Sequence, residues 1–288
     1  MTVGSDFDVL RCAPAIGHWI VKVRHSGMSE CRDQIAVEEP LEIRLAGQPL
    51  SITMRTPGED EWLVAGFLFT ERIIGGGDDV DMIAHYRGPS DDPDLRNIVN
   101  VLLKGDVRAA KERLRRNFIS ASSCGLCGTA MIEAIRTTHP PVESDVTVPI
   151  ELFPEITTAM SHAQATFEKT GGLHAAGLFN ADGLLLASSE DIGRHNAVDK
   201  VIGRMVLARA MPLDRHILMV SGRASFEIVQ KAIVARIPII AAVSAPSSMA
   251  VQTAHAANVT LVGFLRDTGF NIYTGAHRVT VDTREFVR

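Results

Sequence analysis

Apolar and polar residues change rhythm about halfway along the chain. In the first half, residues 41–45 and 50–54 alternate apolar and polar side chains, the period-two pattern of half-buried strands. Ala46-Gly47-Gln48-Pro49 between them predicts a hairpin turn. Thr56-Pro57-Gly58 introduces a helix over about residues 59–72 that is apolar on most sides and so expected to be buried, and Gly75-Gly76-Gly77 ends it. Residues 98–103 predict a further strand, and 107–114 form a short basic stretch.

The second half reads differently. Leu152, Ile156, Met160, Ala163 and Phe167 recur at helical spacing, and Gly171-Gly172 closes that helix. Strands at 173–179 and 184–188 follow, joined by the turn Asn180-Ala181-Asp182-Gly183. A helix over 194–209 carries Val198, Val201, Ile202 and Met205 on one face. Strand 216–220, helix 225–235, strand 239–243, helix 247–257 and strand 259–263 complete the alternation. These late strands are continuous apolar runs, as expected where helices cover both faces of a parallel sheet. The fold class expected is α/β: a three-layer, cytidine-deaminase-like domain over 146–288, preceded by a smaller α+β domain over 1–145. Pro140-Pro141 and the polar residues after them mark the junction.

Composition narrows the classes. The 288 residues are 46% hydrophobic and 22% charged with a net charge of -5, an ordinary globular balance that draws the molecule neither to nucleic acid nor to an acidic membrane. The first residues lack the apolar stretch of a secretory signal, and the run 237–243 is too short to cross a bilayer. Four cysteines, Cys12, Cys31, Cys124 and Cys127, are too few for a secreted disulfide framework. A cytoplasmic location is expected.

The close pair in Ser122-Ser123-Cys124-Gly125-Leu126-Cys127-Gly128 is the densest chemical signal. Small residues around it let the backbone turn tightly and leave the sulfurs accessible. Lys104, Arg108, Lys111, Arg113, Arg115 and Arg116 lie just upstream, where they favour thiolate if they fold near the loop. Three chemistries fit the spacing equally: dithiol–disulfide exchange, half of a zinc site, and a sulfur carrier holding a persulfide. A zinc site needs a second ligand pair, and Cys12 and Cys31 are isolated.

The second-half pattern resembles a cytidine-deaminase core, yet its metal motif is missing. Zinc deaminases carry His-x-Glu and Pro-Cys-x-x-Cys at successive helix starts. Here those positions read Gly193-Arg194-His195-Asn196-Ala197 and Ser221-Gly222-Arg223-Ala224-Ser225, and His174-Ala175-Ala176 also lacks the glutamate. Helix starts with glycine and arginine are ready anion-binding positions, so Arg194 and Arg223 fit flanking a phosphate-bearing ligand and ordinary surface capping equally well. His174, His195, Asp191 and Asp199 fit acid–base work or the plain ordering of a helix start equally well.

In order along the chain come the cysteine loop 122–128, Thr170-Gly171-Gly172-Leu173-His174-Ala175-Ala176, the run from Glu190-Asp191-Ile192-Gly193-Arg194-His195 to Asp199-Lys200, and Ser221-Gly222-Arg223. With Arg55-Thr56-Pro57-Gly58 before them and Phe270-Asn271-Ile272-Tyr273-Thr274 after, they make the chain similar to the formate dehydrogenase accessory sulfurtransferase family over most of its length. The resemblance implies a sulfurtransferase that takes persulfide sulfur from a cysteine desulfurase. It implies delivery to molybdenum bis(molybdopterin guanine dinucleotide), which a formate dehydrogenase then receives. Cys124 would hold the persulfide, Cys127 would be an auxiliary thiol, and Phe264, Leu265, Arg266, Asp267, Thr268 and Gly269 would bind the cofactor. A homodimer without a structural metal, binding neither nucleic acid nor membrane, is the family expectation. A cofactor chaperone that moves no sulfur and a zinc-dependent regulatory module are the rival classes.

Overall fold

The computed structural model describes residues 13–86, 96–104 and 140–281. It opens with an antiparallel hairpin of β1 (Ala15–Arg24) and β2 (Gly27–Ala36). A four-stranded sheet follows in the order β4-β3-β6-β5, built from β3 (Glu39–Leu45), β4 (Gln48–Arg55), β5 (Val80–His85) and β6 (Ile98–Leu103). The β3–β4 turn is two residues long, and Ala46 and Gly47 both take positive φ, the backbone twist that a tight hairpin needs. Helix α1 (Asp60–Thr70) leaves β4 through Thr56-Pro57-Gly58.

The larger sheet has six strands in the order β13-β12-β11-β10-β8-β9. They are β8 (His174–Asn180), β9 (Leu185–Asp191), β10 (His216–Val220), β11 (Ile239–Ala242), β12 (Thr260–Arg266) and β13 (Gly269–Thr274). The three central strands β10, β11 and β12 run parallel, as their connecting helices require. The outer pairs are antiparallel because short turns, not helices, join β8 to β9 and β12 to β13. The sheet is therefore mixed rather than parallel throughout. A two-strand parallel patch joins β7 (Val148–Pro149) to β14 (Val279–Thr280).

Each central strand buries both faces. Ile217 and Met219 of β10 turn toward α2 (Leu152–His162), where Phe153, Ile156 and Met160 cover them. Leu218 and Val220 turn the other way, into a core shared with α4 (Arg194–Leu207), α5 (Phe226–Val234) and α6 (Ser248–Ala256). The same core continues through Leu63, Val64 and Leu68 of α1 to Leu41, Ile43 and Leu45 of β3. The single helix expected over 152–171 is instead two. Backbone at Gln164 leaves helical geometry, its side-chain amide donates to the Met160 carbonyl at 3.1 Å, and α3 (Ala165–Thr170) starts afresh before Gly171 closes it in the left-handed region. Among the described residues no helix is long and apolar enough to cross a membrane.

Helices α1 and α4 cross at backbone contact. A Cβ on Gly66 would overlap the Asp199 carbonyl oxygen, and one on Gly203 would overlap the Trp62 carbonyl oxygen. The two glycines thus set the approach that places the start of α4 beneath the Thr56–Gly58 turn.

Candidate functional site

That turn is held by a buried ion pair. Lys200 Nζ reaches Asp191 Oδ2 at 2.8 Å and donates to the carbonyls of Thr56 and Glu190, each at 3.1 Å. Asp191 also accepts from the backbone N–H groups of Thr56 (3.2 Å) and Gly193 (2.8 Å) and from Asn196 Nδ2 (3.0 Å). The Thr56 hydroxyl accepts in turn from the Ile192 N–H at 3.1 Å. Both charges are fully out of water and their partners lie within the corner and the Thr56 turn, so these residues shape the β9–α4 corner. Asp199 does similar work one turn further along. It pairs with Lys231 of α5 at 2.8 Å and accepts from the Thr70 hydroxyl of α1 at 2.8 Å, joining three helices.

The corner leads to the sheet edge at which the parallel strands end. His174 opens β8 and stands in register with Asp191 at the end of β9. On its other side, Ser221 follows β10, its N–H bonded to the Ala175 carbonyl and its hydroxyl accepting from the Ala175 N–H, each at 2.9 Å. A Cβ on Gly222 would lie 3.3 Å from His174 Nδ1 and 3.8 Å from Arg194 Cδ, so that residue leaves open the space between histidine and arginine. Burial, then the nearby charges of Arg194 and Arg223, push the His174 pKa below its ordinary value, while Asp191 opposes them. The histidine is thus favoured as neutral imidazole beside two guanidinium groups. Arg194 Nε is buried and has no hydrogen-bond partner among the described residues, a donor left over for an anion.

The same edge continues to β11 and β12. The Ser244 N–H bonds to the Gly222 carbonyl at 3.4 Å, and the Phe264 N–H bonds to the Ser244 carbonyl at 3.2 Å. Phe264 holds a left-handed backbone conformation, costly for a bulky residue, with its side chain about half exposed. Within the expected cofactor stretch, Leu265 is buried, and Arg266 Nη1 donates to the Val243 carbonyl and to the Leu265 carbonyl. Asp267 and Thr268 form the two-residue turn between β12 and β13, and Gly269 adopts a φ of 148°. The stretch 264–269 is thus a hairpin end at the carboxyl edge of a parallel strand, where α/β sheets receive ligands.

His195 faces elsewhere. Its Nε2 lies 3.2 Å from the Ser225 hydroxyl and 3.8 Å from Glu227, and it lines a cavity of about 320 Å³ between β4, α1 and α5. Burial, then the charge of Arg194, lowers its pKa as well. Cys124 and Cys127 lie outside the described residues. The structure brings His174, Arg194, Arg223 and the edge of the 264–269 stretch to one side of the sheet, and it sets His195 and Asp199 apart from them. Sequence reasoning missed Lys231, Ser244 and the strain at Phe264. Lys231 was traceable as a charge among the apolar positions Ile228, Val229, Ala232 and Ile233 of α5; the other two leave no local signature.

Comparison with known proteins agrees with this arrangement of motifs. The family model described as FdhD/NarQ family matches residues 36–280. The chain is 47% identical over 267 residues to the sulfur carrier protein FdhD of Streptomyces avermitilis, covering 91% of this chain and 94% of that one. It is 44% identical over 268 residues to the protein of the same name from Mycobacterium tuberculosis, covering 90% and 97%. Its fold superimposes with a TM-score of 0.73 and 26% identity on a crystal structure described as that of a formate dehydrogenase accessory protein from Desulfotalea psychrophila, over 93% of this chain and 100% of that one. The matched region runs from the end of the first hairpin to the last strand, through every motif at the sheet edge: the chain belongs to the FdhD/NarQ family.

Proposed function

We propose that the chain is a cytoplasmic sulfurtransferase serving formate dehydrogenase, with Cys124 as its sulfur carrier and the sheet edge as the dock for a nucleotide-bearing acceptor. The observation that carries the reading is the convergence of Arg194 and Arg223 on His174 beside the strained Phe264 corner. It is an anion-receptive surface in a chain whose relatives are named sulfur carriers. In this reading the carrier cysteine belongs to the 1–145 part of the chain and the docking edge to the 146–288 part.

The chemistry balances as two exchanges. The Cys124 thiolate attacks the outer sulfur of a persulfide on a cysteine desulfurase; that S–S bond breaks, the donor cysteine leaves as thiolate, and Cys124 carries the persulfide. Cys127, three residues on, then attacks the Cys124 sulfur, forming a Cys124–Cys127 disulfide and expelling HS⁻. The two thiols supply both electrons, and a cellular dithiol reduces the disulfide afterwards. Sulfide is a ligand that molybdenum takes without a change of oxidation state. The acceptor substrate in this reading is molybdenum bis(molybdopterin guanine dinucleotide). Its phosphates suit the two arginines, of which Arg194 has an Nε without a partner among the described residues, and the 264–269 hairpin end supplies the rest of the surface. A homodimer is part of this reading.

Incubation with a cysteine desulfurase and cysteine, followed by intact-mass and peptide analysis, tests it. One added sulfur on Cys124, absent in Cys124→Ser, is the expected result. Guanine-nucleotide binding without any sulfur adduct would establish a cofactor chaperone instead, and stoichiometric zinc held by both cysteines would exclude both.

A further inference from the structure

The hairpin that opens the described chain has no interior of its own. No residue of β1 or β2 is buried. Trp19, Val21 and Val23 alternate onto one face of β1, and the rung Val23–Met28 adds Met28 to that face. These four side chains are 63%, 58%, 65% and 77% exposed, respectively. The arm packs at its base, where Ala36 meets Gly172 beyond the end of α3. A two-stranded sheet without a covered face is marginal in water, and an exposed apolar face of this kind marks an interaction surface.

Two observations select the occupant. Tryptophan, methionine and β-branched residues gathered on one face are the composition of a lasting interface, and an intermittent partner would leave a long two-edged hairpin open to aggregation. A second copy is present whenever the chain is. Charge makes the same choice. The apolar face carries two charged residues, Glu30 and Arg32, of opposite sign on either side of the Ile20–Cys31 rung. A two-fold axis crossing the arm at that rung lays Arg32 of each copy over Glu30 of the other, and Trp19 over Val21 of the other. Arg32 already stacks 5.9 Å over the Trp19 ring, so its charge sits at the centre of the face.

We propose that the β1–β2 arm is the dimerisation element, docking face to face on the arm of a second copy with reciprocal Glu30–Arg32 pairs. This rests on the homodimer reading above and assigns its surface. Sedimentation of the full chain tests it with Glu30→Arg and Arg32→Glu, each of which sets like charges opposite one another twice. Each variant alone is expected to dimerise at least about tenfold more weakly than the parent chain, and an equimolar mixture of the two to form dimer again, because mixing restores both opposite-charge pairs. Cooperative thermal unfolding and a circular dichroism spectrum matching the parent establish that the separated variants are folded. A parent chain that sediments as a monomer overturns the homodimer reading itself. A dimeric parent with variants that dimerise equally well overturns the arm alone, as does failure of the mixture to recover.

Discussion

Arg194 and Arg223 act on His174 in a way that can be measured apart from any ligand. Their charges help to hold the imidazole below its ordinary pKa, so removing one relieves repulsion of the protonated form. Arg223→Gln is therefore expected to raise the His174 pKa, read from the pH dependence of its ring proton shifts. Arg194→Gln and Arg223→Gln are each expected to weaken GDP binding about tenfold in calorimetry, the loss of one charge-assisted contact. Unaltered GDP affinity in both variants would remove the anion role. At this scale the sequence was ambiguous: a glycine and arginine at a helix start mark a place for an anion, but so does any exposed cap. What the fold adds is that Gly222 stands against His174 and that Arg194 Nε has no partner among the described residues. Asp191 and Asp199, read equally as acid–base groups or as order at a helix start, are consumed by Lys200 and Lys231.

Among elements, the pairing of α1 with α4 decides whether the site exists, because α4 carries Arg194 and Lys200 and receives the Thr56 turn. Gly66 and Gly203 face backbone carbonyls across the crossing, and neither carbonyl can rotate away as a side chain would. Gly66→Ala and Gly203→Ala are each expected to cost about 3 kcal/mol or more, seen as a lowered denaturation midpoint, although alanine is the better helix former elsewhere. A change within a few tenths of a kcal/mol would contradict the crossing. The helices themselves were legible. α4, α5 and α6 begin and end within two residues of the spacing-based expectation, because buried faces enforce the helical period. The strands β1, β2, β5 and β13 were not identified. Each is an edge strand or exposed hairpin whose apolar pattern is not forced by a covered face, and β13 exists because the Asp267-Thr268 turn folds it back on β12.

For the molecule as a whole, acid should act through histidines. His174 and His195 both have lowered folded pKa values, burial being the first cause. An unfolded histidine near its ordinary 6.5 binds the proton more readily, so each contributes stability that is present above 6.5 and lost as pH falls through the lowered folded value. Glu59 and Glu71 work in the opposite sense. Burial raises their pKa above 4.5, so the stability they contribute is present below 4.5 and lost as pH rises through the raised values. The melting temperature is expected to drop between pH 7.5 and pH 5.5, and the double variant His174→Gln/His195→Gln to flatten that limb. An equal drop in the double variant would place the titrating groups elsewhere. One apolar core runs from β3 through α1 and α4 to the large sheet, so loss of order at either end is expected to weaken the other.

The sequence by itself determined the alternation of helices and apolar strands after residue 150, the hairpin at Ala46–Gly47, the missing zinc motif and the close spacing of Cys124 and Cys127. All of these are local: they depend on period, turn chemistry or residue order within a few positions. Tertiary structure alone decided that the sheet is mixed, that Asp191 and Asp199 are held in buried ion pairs, and that His174 rather than His195 shares an edge with Arg194, Arg223 and Phe264. Those outcomes depend on which strands become neighbours and how closely two helices cross. Such contacts join residues distant along the chain, more than a hundred positions at the Gly66–Asp199 crossing and 32 in the Asp199–Lys231 pair, so period and turn chemistry alone do not specify them.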